Sequence, residues 1–193
     1  MKGASILDLG CGNGGISLPL LADNDVEFVD FSMPMLELVK AQIPPERVKH
    51  ANLVHNSLDN YNSEKKFGVV LAIGLIAHVS SVNAFLSKVK ELVDSEGCVI
   101  IQFTDSESII AKISLRSNSS RHYDLNKTYY RDFRNEVSRF GFHVESEVRY
   151  GLQFPGMGRL PDSWLYSYSK WIIKSGLGRQ WGSEVIWKLT RKA

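Results

Sequence analysis

ILDLGCGNGG, residues 6–15, is a branched apolar run containing one aspartate, followed by four glycines in six positions. A strand that ends in glycines and turns into a helix presents bare backbone amides, because side chains at those places would block a ligand's approach. The stretch therefore predicts the first strand and the ligand-binding turn of an α/β sheet, with a nucleotide as the class of ligand. Its spacing also meets the dinucleotide fingerprint. Gly10, Gly12 and Gly15 fall in the three glycine places, and Asp30 stands at the end of the next strand, where a ribose-binding acid belongs. Asp8 argues against that narrower reading. A dinucleotide site normally has an apolar residue there, and an unpaired buried carboxylate costs on the order of several kcal/mol unless a cation is bound nearby.

The rest of the chain alternates in the same way. β-rich runs at Ser5–Leu9, Glu27–Phe31, Asn52–His55, Val69–Ile73 and Cys98–Phe103 are separated by helix-like stretches at Gly15–Leu21, Met35–Gln42 and Val82–Val93. Such alternation predicts βαβ units around a parallel sheet. Pro44-Pro45 should stop the second helix, and Gly97 should follow the end of the third. The polar stretch Arg116–Asn126 reads as a loop. A helix capped by Thr128 and running to Arg139 follows, with Gly141 just past its end. A strand at His143–Tyr150 and an edge strand at Glu184–Arg191 complete the expected order.

The chain has 193 residues, 44% of them hydrophobic, which suits one domain with one good core. Its 23 basic and 21 acidic residues nearly cancel, so the overall charge demands neither nucleic acid nor an anionic membrane. Cys11 and Cys98 lie far apart and lack the spacing of a zinc or redox pair, so no metal site is expected and a reduced, cytoplasmic chain fits. Neither a signal peptide nor a membrane-spanning run stands out.

With these residues in view, ILDLGCGNGG resembles the first motif of the class I S-adenosylmethionine-dependent methyltransferases. VEFVDFSMPMLELVK, residues 26–40, is similar to that family's second strand and following helix. The cofactor's methionine ammonium is the cation that Asp8 calls for, and it has no pyrophosphate for a helix N-terminus to hold. The resemblance implies a doubly wound, Rossmann-like α/β fold, with a mostly parallel seven-stranded sheet and an antiparallel last strand. It further implies that Gly10, Cys11, Gly12, Asn13 and Gly14 form the floor under the methionine part and that Asp8 reaches its amino group. Asp30 would take the ribose hydroxyls, and Phe31 and Met35 would flank the adenine. At the exit of the third strand the chain has Ser57 where the family commonly has an aspartate to meet the adenine amino group, with Leu58 or Asp59 as the alternative substitutes. Ala72, Ile73 and Gly74 would lie near the transferring methyl. Family members usually carry helices before the first strand. Here the chain starts almost on it, so those helices are expected to be missing and the site to be open.

The implied reaction, methyl transfer to a small-molecule or sugar-like acceptor at oxygen, draws most of its acceleration from alignment, which in well-oriented systems is worth roughly 7–11 kcal/mol. A hydroxyl acceptor also benefits from a general base, and His78 beyond the fourth strand is the first candidate; the other reading makes it a packing residue. His122 and Tyr123 are weaker candidates in the following loop. AIGLIAHV, residues 72–79, lacks the Asn/Asp-Pro-Pro-aromatic turn of the DNA amino methyltransferases, and no lysine-rich stripe with interleaved aromatics is present, so nucleic acid is not an expected partner.

Residues 151–182 form a helical, lid-like insertion before the last strand, with Trp164, Leu165, Tyr168, Trp171 and Ile172 on one helical face and Asp162 or Ser163 as its cap. The face could pack on the domain, line an acceptor pocket, or, with Arg159, Lys170, Lys174 and Arg179 beside it, touch a membrane surface or a partner subunit in a homodimer. Two alternatives from other classes stay open. One is an N-terminally truncated or non-catalytic cofactor-binding domain, and the other is an NAD-dependent oxidoreductase.

Overall fold

The computed structural model describes residues 2–112, 127–152, 157 and 160–192. Seven strands form one sheet: β1 (Ser5–Leu9), β2 (Asp25–Asp30), β3 (Ala51–His55), β4 (Phe67–Ile73), β5 (Val93–Thr104), β6 (Phe142–Tyr150) and β7 (Glu184–Arg191). Their spatial order is β3-β2-β1-β4-β5-β7-β6, with β1 to β5 parallel and β7 antiparallel to both its neighbours. The order reverses direction between β1 and β4, and ligands of open α/β sheets bind at the carboxyl ends of strands at such a point.

Strand alternation sends side chains to two cores. Leu7 and Leu9 of β1 join Val70 and Ala72 of β4 on one face, where α2 (Val82–Leu92) and α3 (Tyr130–Arg139) cover them with Phe85, Leu86, Phe133 and Val137. Ile6 faces the other way, toward Phe28, Val69 and Leu71, under Leu36 and Val39 of α1 (Met33–Gln42). Trp187 of β7 is fully buried, set edge-on to Phe103 and stacked on Phe133. A smaller cluster of Ile110, Leu152 and Ile172 anchors α4 (Asp162–Ser175), which α5 (Leu177–Trp181) follows.

Several expectations need correction. The helix expected at Gly15–Leu21 is a 3-10 turn of five residues, Leu18–Ala22: Pro19 would be the fifth residue of the expected helix, where it has no N–H to donate to the Gly15 carbonyl, and it is accommodated instead in the first turn of the shorter element. β2 ends at Asp30, so Phe31 lies outside it and is 76% exposed. Gly97 does not end a helix. α2 stops at Leu92 and β5 begins at once, with Gly97 inside it at a register shift against β4, where a Cβ would stand 2.9 Å from the Phe67 carbonyl oxygen. Thr128 does not cap α3; Tyr129 occupies that place without a side-chain bond, while Thr128 bridges to Asp105. Glu184–Arg191 is not an edge strand. It is inserted between β5 and β6 with Val185, Trp187 and Leu189 buried, and its alternation reflects two unlike faces rather than an open edge. The aromatic stripe of α4 is divided: Ile172 is buried, Leu165 and Tyr168 are half-buried, and Trp164 and Trp171 are exposed. Gly141, with φ of 83°, does follow α3 as expected.

Candidate functional site

The loop after β1 folds back on β2. The Gly10 and Cys11 amides both donate to the Val29 carbonyl, at 2.8 and 3.1 Å, so the loop begins in a fixed position beside the end of β2. Gly10, Gly12 and Gly14 all have positive φ, but for different reasons. A Cβ on Gly10 would strike Leu75, and one on Gly14 would strike Leu18 and Val39. Gly12 has open space within 4 Å of where its Cβ would be. Gly12 thus presents bare backbone to solvent, as a ligand's approach requires, whereas the other two are small because the protein packs against them.

Asp30 ends β2 and is only 7% exposed. Its carboxylate accepts the Gly12 amide at one oxygen and the Ser32 amide at the other, both at 2.8 Å. Asp8 is 3% exposed and accepts the Ser17 hydroxyl at 2.5 Å. Burial raises its pKa from 3.8 to about 6, Ser17 opposes the rise, and the negative Asp30 adds to it. The Cys11 thiol is pushed up to about 12, first by burial and then by Asp8 and Asp30, so it is no nucleophile.

A cleft of about 140 Å³ opens at the carboxyl ends of β1 and β2. Gly10, Asp30, Phe31, Ser57, Leu58 and His78 meet on its walls, drawn from the ends of four successive strands. Asp8 and Cys11 lie buried on the sheet face that also carries Ile6, and Gly14 is wedged against Leu18 and Val39. Asn13 is exposed, its side chain accepting the Gly15 amide at 3.2 Å. Met35 is 39% exposed in the first turn of α1, and Ile73 is half-buried at the end of β4. Ser57 carries two turn bonds, accepting the Tyr61 amide at its carbonyl and, at 3.4 Å, the Asn60 amide at its hydroxyl. His78 ends a 3-10 turn, Ile76–His78, and its side chain is exposed. His122 and Tyr123 lie outside the described residues, as does Arg159.

Sequence reasoning passed over Ser17, Leu75 and Asn56. Asking what satisfies a buried Asp8 would have led to Ser17. Nothing in the sequence marks Asn56, whose amide donates to the Asp30 carbonyl at 3.0 Å, or Leu75, whose side chain closes on Gly10.

Residues 6–97, just under half of the chain, match the model of the methyltransferase domain family. The ubiquinone biosynthesis O-methyltransferase of Rickettsia akari is 31% identical over 97 residues, covering 50% of this chain and 38% of that protein. The chain is thus matched to well under half the length of its curated relatives. The fold is that of solved S-adenosylmethionine-dependent methyltransferases. Magnesium protoporphyrin IX methyltransferase of Synechocystis superimposes with a TM-score of 0.69 at 15% identity, over 99% of this chain and 75% of that one. A methyltransferase of Geobacter sulfurreducens, solved with S-adenosylhomocysteine, gives 0.68 at 15% identity over 99% and 86%.

Proposed function

We propose that this chain binds S-adenosylmethionine in the cleft at the ends of β1 and β2 and transfers the methyl group to oxygen of a small-molecule acceptor. The observation that carries the reading is the Asp30 carboxylate. Two backbone amides hold it rigid at the cleft wall, and each oxygen retains a lone pair to accept a ribose hydroxyl. Gly12 and Asn13 offer backbone to the methionine part, Phe31 and Met35 flank the adenine, and Ser57 and Leu58 bound it. Asp8 answers a positive charge, and a cation nearby would offset the burial that raises its pKa. When bound, the cofactor supplies an activated methyl group on sulfur. The chain's own task is to exclude water and hold the acceptor in line, with His78 available as a base at the cleft rim.

Oxygen as the acceptor atom rests on the relatives named for ubiquinone biosynthesis O-methylation. A nicotinamide dinucleotide is disfavoured on local grounds. Its pyrophosphate needs a helix N-terminus after the glycines, and here a five-residue 3-10 turn follows.

Isothermal titration of S-adenosylmethionine, S-adenosylhomocysteine and NADH into the chain tests the reading, with Asp30→Ala and Asp30→Asn beside it. Adenosyl ligands should bind in the micromolar range and lose affinity in both variants. Binding of NADH alone, or of none of the three, would overturn it.

A further inference from the structure

Beyond the cofactor cleft, Thr104 of β5, Glu184 of β7 and Tyr150 of β6 stand directly opposite one another across three strands, at the same end of the sheet as Asp30. Glu184 sits half-buried in this row. It accepts the Gln102 side-chain amide, and the Thr104 hydroxyl donates to it at 2.9 and 3.2 Å. Among the described residues its hydrogen-bond partners are neutral. The nearby cation Arg149 is engaged by Asp105 and Glu147, and Lys188 by Glu145. Burial pushes the Glu184 carboxyl above its ordinary range, and the two donors offset only part of that. Tyr150 is pushed up as well, by burial and by Glu184. A desolvated carboxylate without a counter-ion contributes poorly to stability, and such groups cluster where ligands bind.

The row is joined to the site already described. Gln102 is the register partner of Ile73, and a Cβ on Gly74 would stand 3.6 Å from Gln102 Oε1. The amide of Gln102 therefore spans from the β4 exit, where the transferring methyl is expected, to Glu184. Room for Glu184 is kept by Gly151, where a Cβ would come within 2.7 Å of Glu184 Cγ.

We infer that Gln102, Thr104, Glu184 and Tyr150 form the acceptor subsite, and that it takes a compound with neighbouring hydroxyl groups, Glu184 accepting a hydrogen bond from one of them. The inference rests on the methyltransferase reading for its role, but the subsite is defined by its own contacts. Carboxylate and amide oxygens stand beside phenol and alcohol hydroxyls there, and that mixture of acceptors and donors matches a vicinal diol. The diol could belong to an aromatic ring or a sugar.

Catechol, methyl glucoside and benzylamine titrated into the isotope-labelled chain, with and without S-adenosylhomocysteine, distinguish these sources. Catechol or the glucoside should shift the backbone amide signals of Gln102, Thr104 and Glu184. Glu184→Gln should weaken that diol by about tenfold, as expected for a lost charged hydrogen bond, while S-adenosylhomocysteine affinity stays within about twofold, well inside the tenfold that 1.4 kcal/mol represents. Affinity should also fall as pH drops and Glu184 protonates. Thr104→Val, on a more exposed residue, gives a second reading if Glu184→Gln fails to fold, and should weaken the diol less. Shifts confined to other regions, or a response to benzylamine alone, would overturn the subsite. Diol shifts at these residues without any adenosyl binding would uphold the subsite and overturn the methyltransferase reading instead.

Discussion

The Ser17 hydroxyl reaches the Asp8 carboxylate at 2.5 Å in a pocket where both side chains are nearly closed to solvent. That bond joins the first strand to the turn after the glycine loop, and Ser17 is the side-chain donor to a carboxylate whose burial raises its pKa from 3.8 to about 6.

The sign of the pH effect follows from that shift. Between pH 4 and 6 the folded chain keeps a proton on Asp8 that the unfolded chain has released, so stability falls as pH rises through this window. The loss is on the order of 3 kcal/mol, and it is complete above pH 6. Urea denaturation from pH 4 to 7 should show this slope, and Asp8→Asn should flatten it. Ser17→Ala should move the Asp8 titration higher still and cost about 1–3 kcal/mol at pH 7.

Gly12 and Gly14 should respond differently to a methyl group. Gly12→Ala meets open space and costs about 1 kcal/mol of backbone strain, the usual penalty for a left-handed alanine. It should leave the melting curve nearly in place but weaken S-adenosylhomocysteine binding measured by titration calorimetry. Gly14→Ala must also displace Leu18 and Val39, so it should lose stability by about 1–3 kcal/mol more, a common cost of overpacking.

Trp187 holds the far side of the sheet together. Its ring packs against Phe103, Phe133 and Tyr130, and its indole nitrogen donates to Glu147 at 2.9 Å. Truncation to alanine should cost about 3–5 kcal/mol in chemical denaturation, as for other buried aromatic residues.

The two cysteines should label in a fixed order. Cys11 is buried and its thiol is pushed up to about 12, whereas Cys98 is more open and its thiol is raised with Lys188 opposing the rise. Iodoacetamide at pH 8, followed by mass spectrometry, should modify Cys98 first. Adenosyl ligand should slow any later reaction at Cys11.

While the antiparallel last strand came from the family resemblance, ILDLGCGNGG and the alternation after it were enough to read β1, the parallel sheet and the place of Asp30 at the end of β2. These depend on short-range rules: apolar alternation marks a strand, and glycine marks a place where backbone must bend or lie bare. The tertiary structure alone decided features that depend on neighbours far along the chain. β7 looked like an edge because Glu184, Lys188 and Thr190 alternate with Val185, Trp187 and Leu189, yet it is paired on both sides, by β5 and β6, and the alternation reports only that one of its faces meets the core. Gly97 looked like a helix stop, yet it is glycine because the Phe67 and Gly68 carbonyls pass beside it. Ser17 against Asp8, and Glu184 against Gln102 and Thr104 some 80 residues away, are pairings that no local pattern encodes. Hydrogen bonds of that kind exist only once the sheet has brought distant strands into register.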